Sequence, residues 1–211
     1  MNEVNLVWAT PKADEVIAYC ARVSNPSNQH IMETAPRLLR YLRKHRHWSP
    51  FEMASVCLEI VTTRDIARQI LRHRSFSFQE FSQRYAEVTD FAELTEPRLQ
   101  DNKNRQNSLE TDDQYLSQWW KMTQNRAIVE AEYLYKEALN KGIAKEVARK
   151  LLPEGLTMSR LYMAGTVRSW LHYLEVRTGV ETQKEHREIA LLCKNELECL
   201  MPTVFGEYDE L

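Results

Sequence analysis

The first half of the chain holds strand-like alternation between short helical stretches, and the second half repeats its apolar residues with helical spacing. "VNLVW" at 4–8 reads as a short strand. "PKADEVIAYCARVS" follows as a helix, with Pro11 in its first turn and Val16, Ile17 and Cys20 on one face. "NPSN" is a loop. "METAPRLLRYLRKH" is a helix carrying Leu38, Leu39 and Leu42. In "ASVCLEIV", 54–61, Val56, Leu58 and Ile60 point to one side and Ser55, Cys57 and Glu59 to the other, which predicts a strand. Thr62 and Asp65 suit the start of a helix running to about His73, with Ile66 and Ile70 inward. "SQRYAEV", 82–88, is expected to return as a strand.

Residues 101–113 are almost wholly polar and read as a surface loop. A long helix is predicted over 113–140, with Tyr115, Trp119, Met122, Val129 and Tyr133 as its buried stripe and Gly142 as its stop. Helices over 144–152, 161–177 and 182–200 close the chain, the last two stopped by Gly179 and Pro202. The expected class is α+β (mixed α/β): a central, mostly antiparallel sheet flanked by helices, with long C-terminal helices. At 211 residues, one domain spanning 1–211 is expected.

Composition narrows the function. Hydrophobic residues make up 43% and charged residues 27%, ordinary for a globular chain, and the formal net charge is −2. A general nucleic-acid binder carries a more basic balance. No run reaches transmembrane length, and the first ten residues are too polar for a secretory segment. The four cysteines form no C-x-x-C pair, so a cytoplasmic chain with reduced thiols is expected. His45 and His47 form H-x-H without a third ligand at metal-binding spacing, and no metal is expected; His30 and His186 read as surface residues. Five glycines leave no G-x-G-x-x-G loop, so phosphates must be held by side chains or helix ends.

Positive charge is instead concentrated in "RHRSFSFQEFSQRY", 72–85, where four basic side chains sit among three serines, three phenylalanines and Glu80. Gln69 and Arg72 share a helical face and could read a pyrimidine edge and hold a phosphate. Arg72, His73 and Arg74 converge on one ligand only where the helix ends, because successive residues turn by about 100°. In an extended segment Ser82 and Arg84 would form a hydroxyl–guanidinium clamp. A solvated basic helix end above core phenylalanines explains the same residues equally well. Further on, Arg168 and His172 share a helical face, and Arg177 lies in a last turn beside the negative end of the helix dipole. Arg149 in "ARKLLP" and Arg177 are also readable as ordinary C-terminal cations.

Arg72-His73-Arg74, seven residues, then Ser82 resembles the R-H-R-x7-S pattern of the flavin-dependent thymidylate synthases, the ThyX family. "ARVS" at 21–24, "HWSPFE" at 47–52, "RQILRHR", "SQRY", "ARKLLP", "TVRSWLHYLEVR" and "TQKEHREIA" resemble other segments of that family in the same order, spanning about 21–190. The resemblance implies a ThyX-type fold assembled as a homotetramer, with each site built from more than one subunit. It implies conversion of dUMP to dTMP, with 5,10-methylenetetrahydrofolate as carbon donor and FAD, reduced by NADPH, as hydride donor. It places Gln69, Arg72, Glu80, Phe81, Ser82, Gln83, Arg84 and Arg149 around dUMP. It places Ser24, His47, Ser49, Arg72, His73, Arg74, Glu80, Thr166, Arg168 and His172 at FAD, and Arg177 against the pyrimidine as the catalytic residue. Gln83 stands where many members have Gly, and Thr166 where Asn is common. Two other classes fit the residues: another nucleotide-binding flavoprotein on the same scaffold, and an RNA-binding module using arginine and phenylalanine.

Overall fold

The computed structural model describes residues 2–206. Four strands form one antiparallel sheet: β1 (Glu3–Ala9), β2 (Ser55–Thr63), β3 (Ser77–Glu80) and, late in the chain, a strand at Met158–Thr166. Two short strands precede that last one, β4 (Arg98–Gln100) and β5 (Ser108–Glu110), so Met158–Thr166 is β6 and the sheet order is β1-β2-β6-β3. The register aligns Leu6 with Leu58, Leu58 with Met163, and Phe78 with Met163. Val56, Leu58, Ile60, Leu161 and Met163 therefore stack on one face, and all are fully buried. The helices that cover this face are α1 (Ala13–Ala21), α2 (Ala35–Lys44), α3 (Arg64–Ile70), α6 (Val167–Arg177) and α7 (Lys184–Leu200). α8 (Pro202–Phe205) closes the end of that core with Val204 and Phe205.

Aromatic packing joins the sheet to α6. Trp170 is fully buried, its indole N–H donates to the Val56 carbonyl at 3.1 Å, and Phe76 meets it edge-on at 4.9 Å. Phe76 can sit there because residue 165 is glycine: a Cβ on Gly165 would come within 2.4 Å of the Phe76 ring. The expected antiparallel sheet with flanking helices is present.

Several local expectations are corrected. Residues 82–88 form turns and not a strand, because Tyr85 and Ala86 N–H both donate to the Ser82 carbonyl. β3 comes earlier, at Ser77–Glu80, where it pairs with β6. Residues 161–166 belong to β6, and α6 begins only at Val167. An apolar run of that length fits either state, and pairing with β2 decides it. α3 stops at Ile70, short of His73; Thr62 lies in β2, and the N-cap is Thr63, whose side chain makes no capping bond. The 101–113 stretch holds β5, paired with β4. The helix predicted over 144–152 is one turn, α5 (Lys145–Ala148), followed by a 3-10 turn at Arg149–Leu151.

The long helix is α4 (Gln114–Asn140), and Gly142 follows it with φ +81°, the left-handed stop that was expected. Its apolar stripe is a correction. Tyr115, Trp119, Met122, Val129 and Tyr133 are all exposed on this chain, while Gln124, Ala131, Tyr135 and Ala138 face inward. Tyr135 anchors a small second core with Val88 and Ala148, and its hydroxyl accepts from the Val88 N–H at 3.2 Å. Among the described residues, no helix is long and apolar enough to cross a membrane.

Candidate active site

α3 ends in successive turns: Arg72 N–H donates to the Gln69 carbonyl, His73 N–H to Ile70, and Phe76 N–H to His73. This early stop is the condition under which Arg72, His73 and Arg74 can leave the helix in different directions. Arg72 and Arg74 point outward and, among the described residues, pair with no carboxylate. His73 turns inward and packs edge-on to Tyr173, centroids 5.0 Å apart.

There Arg177, the last residue of α6, donates from Nε to His73 Nε2 at 2.9 Å. That bond requires His73 Nε2 to be an acceptor, so the ring is neutral. Burial, then the charge of Arg177 and the neighbouring His172, lower its pKa to about 4. Among the described residues, the terminal fork of Arg177 has no hydrogen-bond partner. The basic motif and the arginine-bearing helix, 104 positions apart in sequence, thus meet in one contact.

The N-terminal end of α6 forms a second part of the site. Thr166 caps the helix by accepting from Ser169 N–H, and its hydroxyl hydrogen goes to Glu52 at 2.9 Å. The other oxygen of Glu52 takes Arg168 at 2.7 Å. Ser169 Oγ donates to the Ser75 carbonyl, tying the basic turn to α6. A cleft of about 460 Å³ opens here, lined by Arg46, Trp48, Ser75, Arg168 and His172 among others. Its volume falls within the roughly 300–1,000 Å³ common for ligand sites. Ser49 opens a 3-10 turn, Ser49–Met53, packed against α6. His47 instead packs its ring on Tyr41 at 5.9 Å, and Ser24 is exposed beyond the end of α1. Neither joins the cleft lining.

The residues expected around dUMP are only partly gathered. Glu80 accepts from Ser159 Oγ at 2.9 Å and lies 3.5 Å from the buried Arg64. Ser82 and Arg84 do not share a strand face; Ser82 Oγ accepts from the Arg84 N–H, and the Arg84 guanidinium lies 3.5 Å from Glu146. Phe81 is exposed. Gln83 is buried, at 3% exposure, and its Nε2 has no hydrogen-bond partner. Arg149 opens the 3-10 turn after α5 and, among the described residues, pairs with no carboxylate.

Gln69 is engaged by groups the sequence reading did not select. Its Oε1 meets His186 Nδ1 at 3.1 Å, and its Nε2 donates to Gln183 Oε1 at 2.7 Å. His186 was read as a surface residue, and this is a correction: it is fully buried, and its Nε2 lies 3.2 Å from the Tyr173 hydroxyl. Burial, followed by Arg177 and His73, lowers its pKa to about 3. The signal was available, because His186 lies three, four, seven and eleven positions before the buried Ile189, Ala190, Cys193 and Leu197. Glu52 lay in the quoted "HWSPFE" segment without a role. Cys193 is fully buried and desolvation pushes its thiol pKa up, so it stays protonated beside Tyr173 and is no nucleophile. Among the described residues, no group of three or more His, Cys, Asp or Glu is arranged to hold a metal.

The chain matches the family model described as thymidylate synthase complementing protein over residues 5–203. It is 53% identical over 189 residues to the flavin-dependent thymidylate synthase of Synechocystis sp., covering 90% of this chain and 86% of that protein. It is 52% identical over 182 residues to the probable flavin-dependent thymidylate synthase of Paramecium bursaria Chlorella virus 1, covering 86% and 84%. Among solved structures, the UMP/dUMP methylase PolB of Streptomyces cacaoi bound with 5-Br dUMP superposes with a TM-score of 0.85. That match has 29% identity and covers 97% of this chain and 93% of the other. The chain is therefore an enzyme of the flavin-dependent thymidylate synthase family.

Proposed function

We propose that this enzyme converts dUMP to dTMP, taking the carbon from 5,10-methylenetetrahydrofolate and electrons from NADPH. The observation that carries the reading is the Arg177–His73 contact, which brings the R-H-R motif and the C-terminal arginine helix to one place. FAD, when bound, supplies the hydride. The donor set fits it: Arg168 and His172 beside Trp48 offer a cation, a polar ring and an aromatic face in one cleft, with exposed Arg72 and Arg74 on the adjoining turn. Phosphates and an anionic ring system call for cations already in place. Ser24, His47, Ser49, Glu80 and Thr166 are proposed to complete the cofactor's surroundings from one subunit or another of a homotetramer. The exposed apolar stripe of α4 is suited to contact between subunits.

Gln69, Arg72, Glu80, Phe81, Ser82, Gln83, Arg84 and Arg149 are the proposed dUMP residues. Arg177 is the proposed catalytic residue. Its Nε is held by neutral His73, so its terminal N–H pair can donate together to O2 and to N3 of an ionised uracil ring. Negative charge growing on the ring is stabilised there, and electron density reaches C5. Among the described residues, Ser82 has no base in hydrogen-bond contact, and it acts as a hydrogen-bonding group. The test has two stages. Purified protein should carry flavin absorbance. It should then release tritium from C5-labelled dUMP only when methylenetetrahydrofolate and NADPH are both present. Flavin without tritium release would refute the reaction, and colourless protein that takes up no FAD would refute the cofactor.

A further inference from the structure

We propose that Glu185 is a positioning residue that, through Gln183, locks the Gln69 carboxamide in one orientation and so makes Gln69 favour a uracil edge over a cytosine edge. This rests on the reading that Gln69 lies against the pyrimidine of dUMP.

One group in the chain of contacts, Glu185, cannot donate. The Glu185 carboxylate takes Arg98 Nη2 at 2.6 Å on Oε1 and 2.9 Å on Oε2, with both side chains 19% exposed. Burial pushes the Glu185 pKa up, but hydrogen bonds from its own backbone, Arg98 and Gln183, with the charge of Arg98, leave it below the usual carboxylate value. It is ionised and accepts only. Gln183 must therefore turn its NH₂ toward Glu185, where Nε2 lies 3.0 Å from Oε2. Its carbonyl then faces Gln69, which must present its own NH₂, at 2.7 Å. The Gln69 carbonyl is left facing His186 Nδ1 at 3.1 Å, so Nδ1 carries the proton. His186 Nε2 is left bare and accepts from the Tyr173 hydroxyl at 3.2 Å. Every donor and acceptor follows from the carboxylate, four contacts away from Tyr173.

A glutamine amide ordinarily reverses its donor and acceptor by a half-turn, at little cost when its neighbours can reverse too. His186 and Tyr173 can reverse, since a neutral imidazole has two tautomers and a hydroxyl rotates. Glu185 cannot. A flipped Gln69 would set its carbonyl against the carbonyl of Gln183. The carboxamide thus offers donor and acceptor in one fixed order. Uracil presents the O4 acceptor where cytosine presents an N4 amino donor. A locked carboxamide matches one of them.

The experiment uses the full-length protein. Glu185→Gln keeps the size and removes the acceptor-only constraint. Glu185→Asp retains it as the conservative rescue. Arg98→Gln breaks the same ion pair but leaves the carboxylate. Binding of dUMP, dCMP and deoxyuridine is measured by calorimetry, and the His186 tautomer by ¹⁵N NMR of protein labelled at its six histidines. The wild type is expected to show a single Nδ1–H tautomer and to prefer dUMP. In Glu185→Gln the tautomers should mix, and the dUMP-to-dCMP ratio should fall by roughly 5- to 150-fold, the factor for one hydrogen-bonded discrimination. Glu185→Asp and Arg98→Gln should keep both wild-type features, which loss of structure alone would not spare. An unchanged tautomer and ratio in Glu185→Gln overturn the proposal. A change only in dUMP against deoxyuridine also overturns it, by placing Gln69 at the phosphate. Should the wild-type protein bind no dUMP, the proposed function fails, and the tautomer measurement alone decides whether the lock exists.

Discussion

Replacing Arg177 by lysine separates charge from geometry. In the folded chain the arginine does two things at once: Nε donates to His73 at 2.9 Å, and the remaining fork is free for a ligand. Lysine carries one ammonium on a flexible stem and cannot serve both sites with the same directionality. Losing the bond to His73 removes a charged hydrogen bond, about 1.5–3 kcal/mol. Losing the paired donors at the pyrimidine removes an interaction that strengthens as charge develops, typically about a hundredfold to a thousandfold in rate. The effect should fall mainly on the chemical step. The fold should survive, because Val167, Trp170, Tyr173 and Leu174 keep α6 anchored and Arg177 is only half-buried at its end. Flavin content and reduction by NADPH should persist, since Arg168 and His172 line a cleft whose lining does not include Arg177. The assay is rapid mixing of reduced enzyme with dUMP and methylenetetrahydrofolate, following flavin reoxidation. A lysine variant that reoxidises at the wild-type rate would remove Arg177 from the mechanism.

Three further outcomes are expected. Ser82→Ala should weaken dUMP binding by roughly tenfold to a few hundredfold, at about 1.5–3 kcal/mol per charged hydrogen bond, with turnover remaining at saturation; abolished methylation with normal binding would revive Ser82 as a nucleophile. Flavin occupancy should fall as the oligomer dissociates on dilution, and a monomer that holds stoichiometric FAD would contradict a site shared between subunits. Stability should fall on acidification: His73 and His186 have folded pKa values of about 4 and about 3, below the unfolded value near 6.5, so the unfolded chain takes up protons first. Their contribution is complete above pH 6.5 and is lost as pH falls toward 4, at up to about 1.4 kcal/mol per pH unit for fully buried His186. Urea midpoints at pH 7 and pH 5 measure it, and equal midpoints for wild type and His186→Phe across that range would count against a buried neutral histidine.

Much of this protein was legible in its order of residues. Strand β2, helices α2 and α4 and the stop at Gly142 follow from local periodicity and turn chemistry, which act within a few residues. The R-H-R-x7-S spacing and its companion segments identified the family for the same reason: a motif is a local object. Tertiary structure decided what depended on distant partners. Residues 161–166 became strand because β2 offers an open ladder on one side and β3 on the other. Tyr115, Trp119 and Tyr133 lie outside the core because α4 packs its small and polar face inward, around Tyr135 and Gln124. The inward face of His186 was readable from helical spacing, but its partners Gln69 and Tyr173 were not, because hydrogen bonds at that range leave no trace in sequence spacing. The contact of His73 with Arg177 was also set by packing, through the edge-on seat of His73 against Tyr173 one turn before Arg177 on α6. Local sequence determines which elements form, because their energies are summed over neighbours. Only the folded core determines which side chains meet across them, because those contacts come from elements that are remote in the chain.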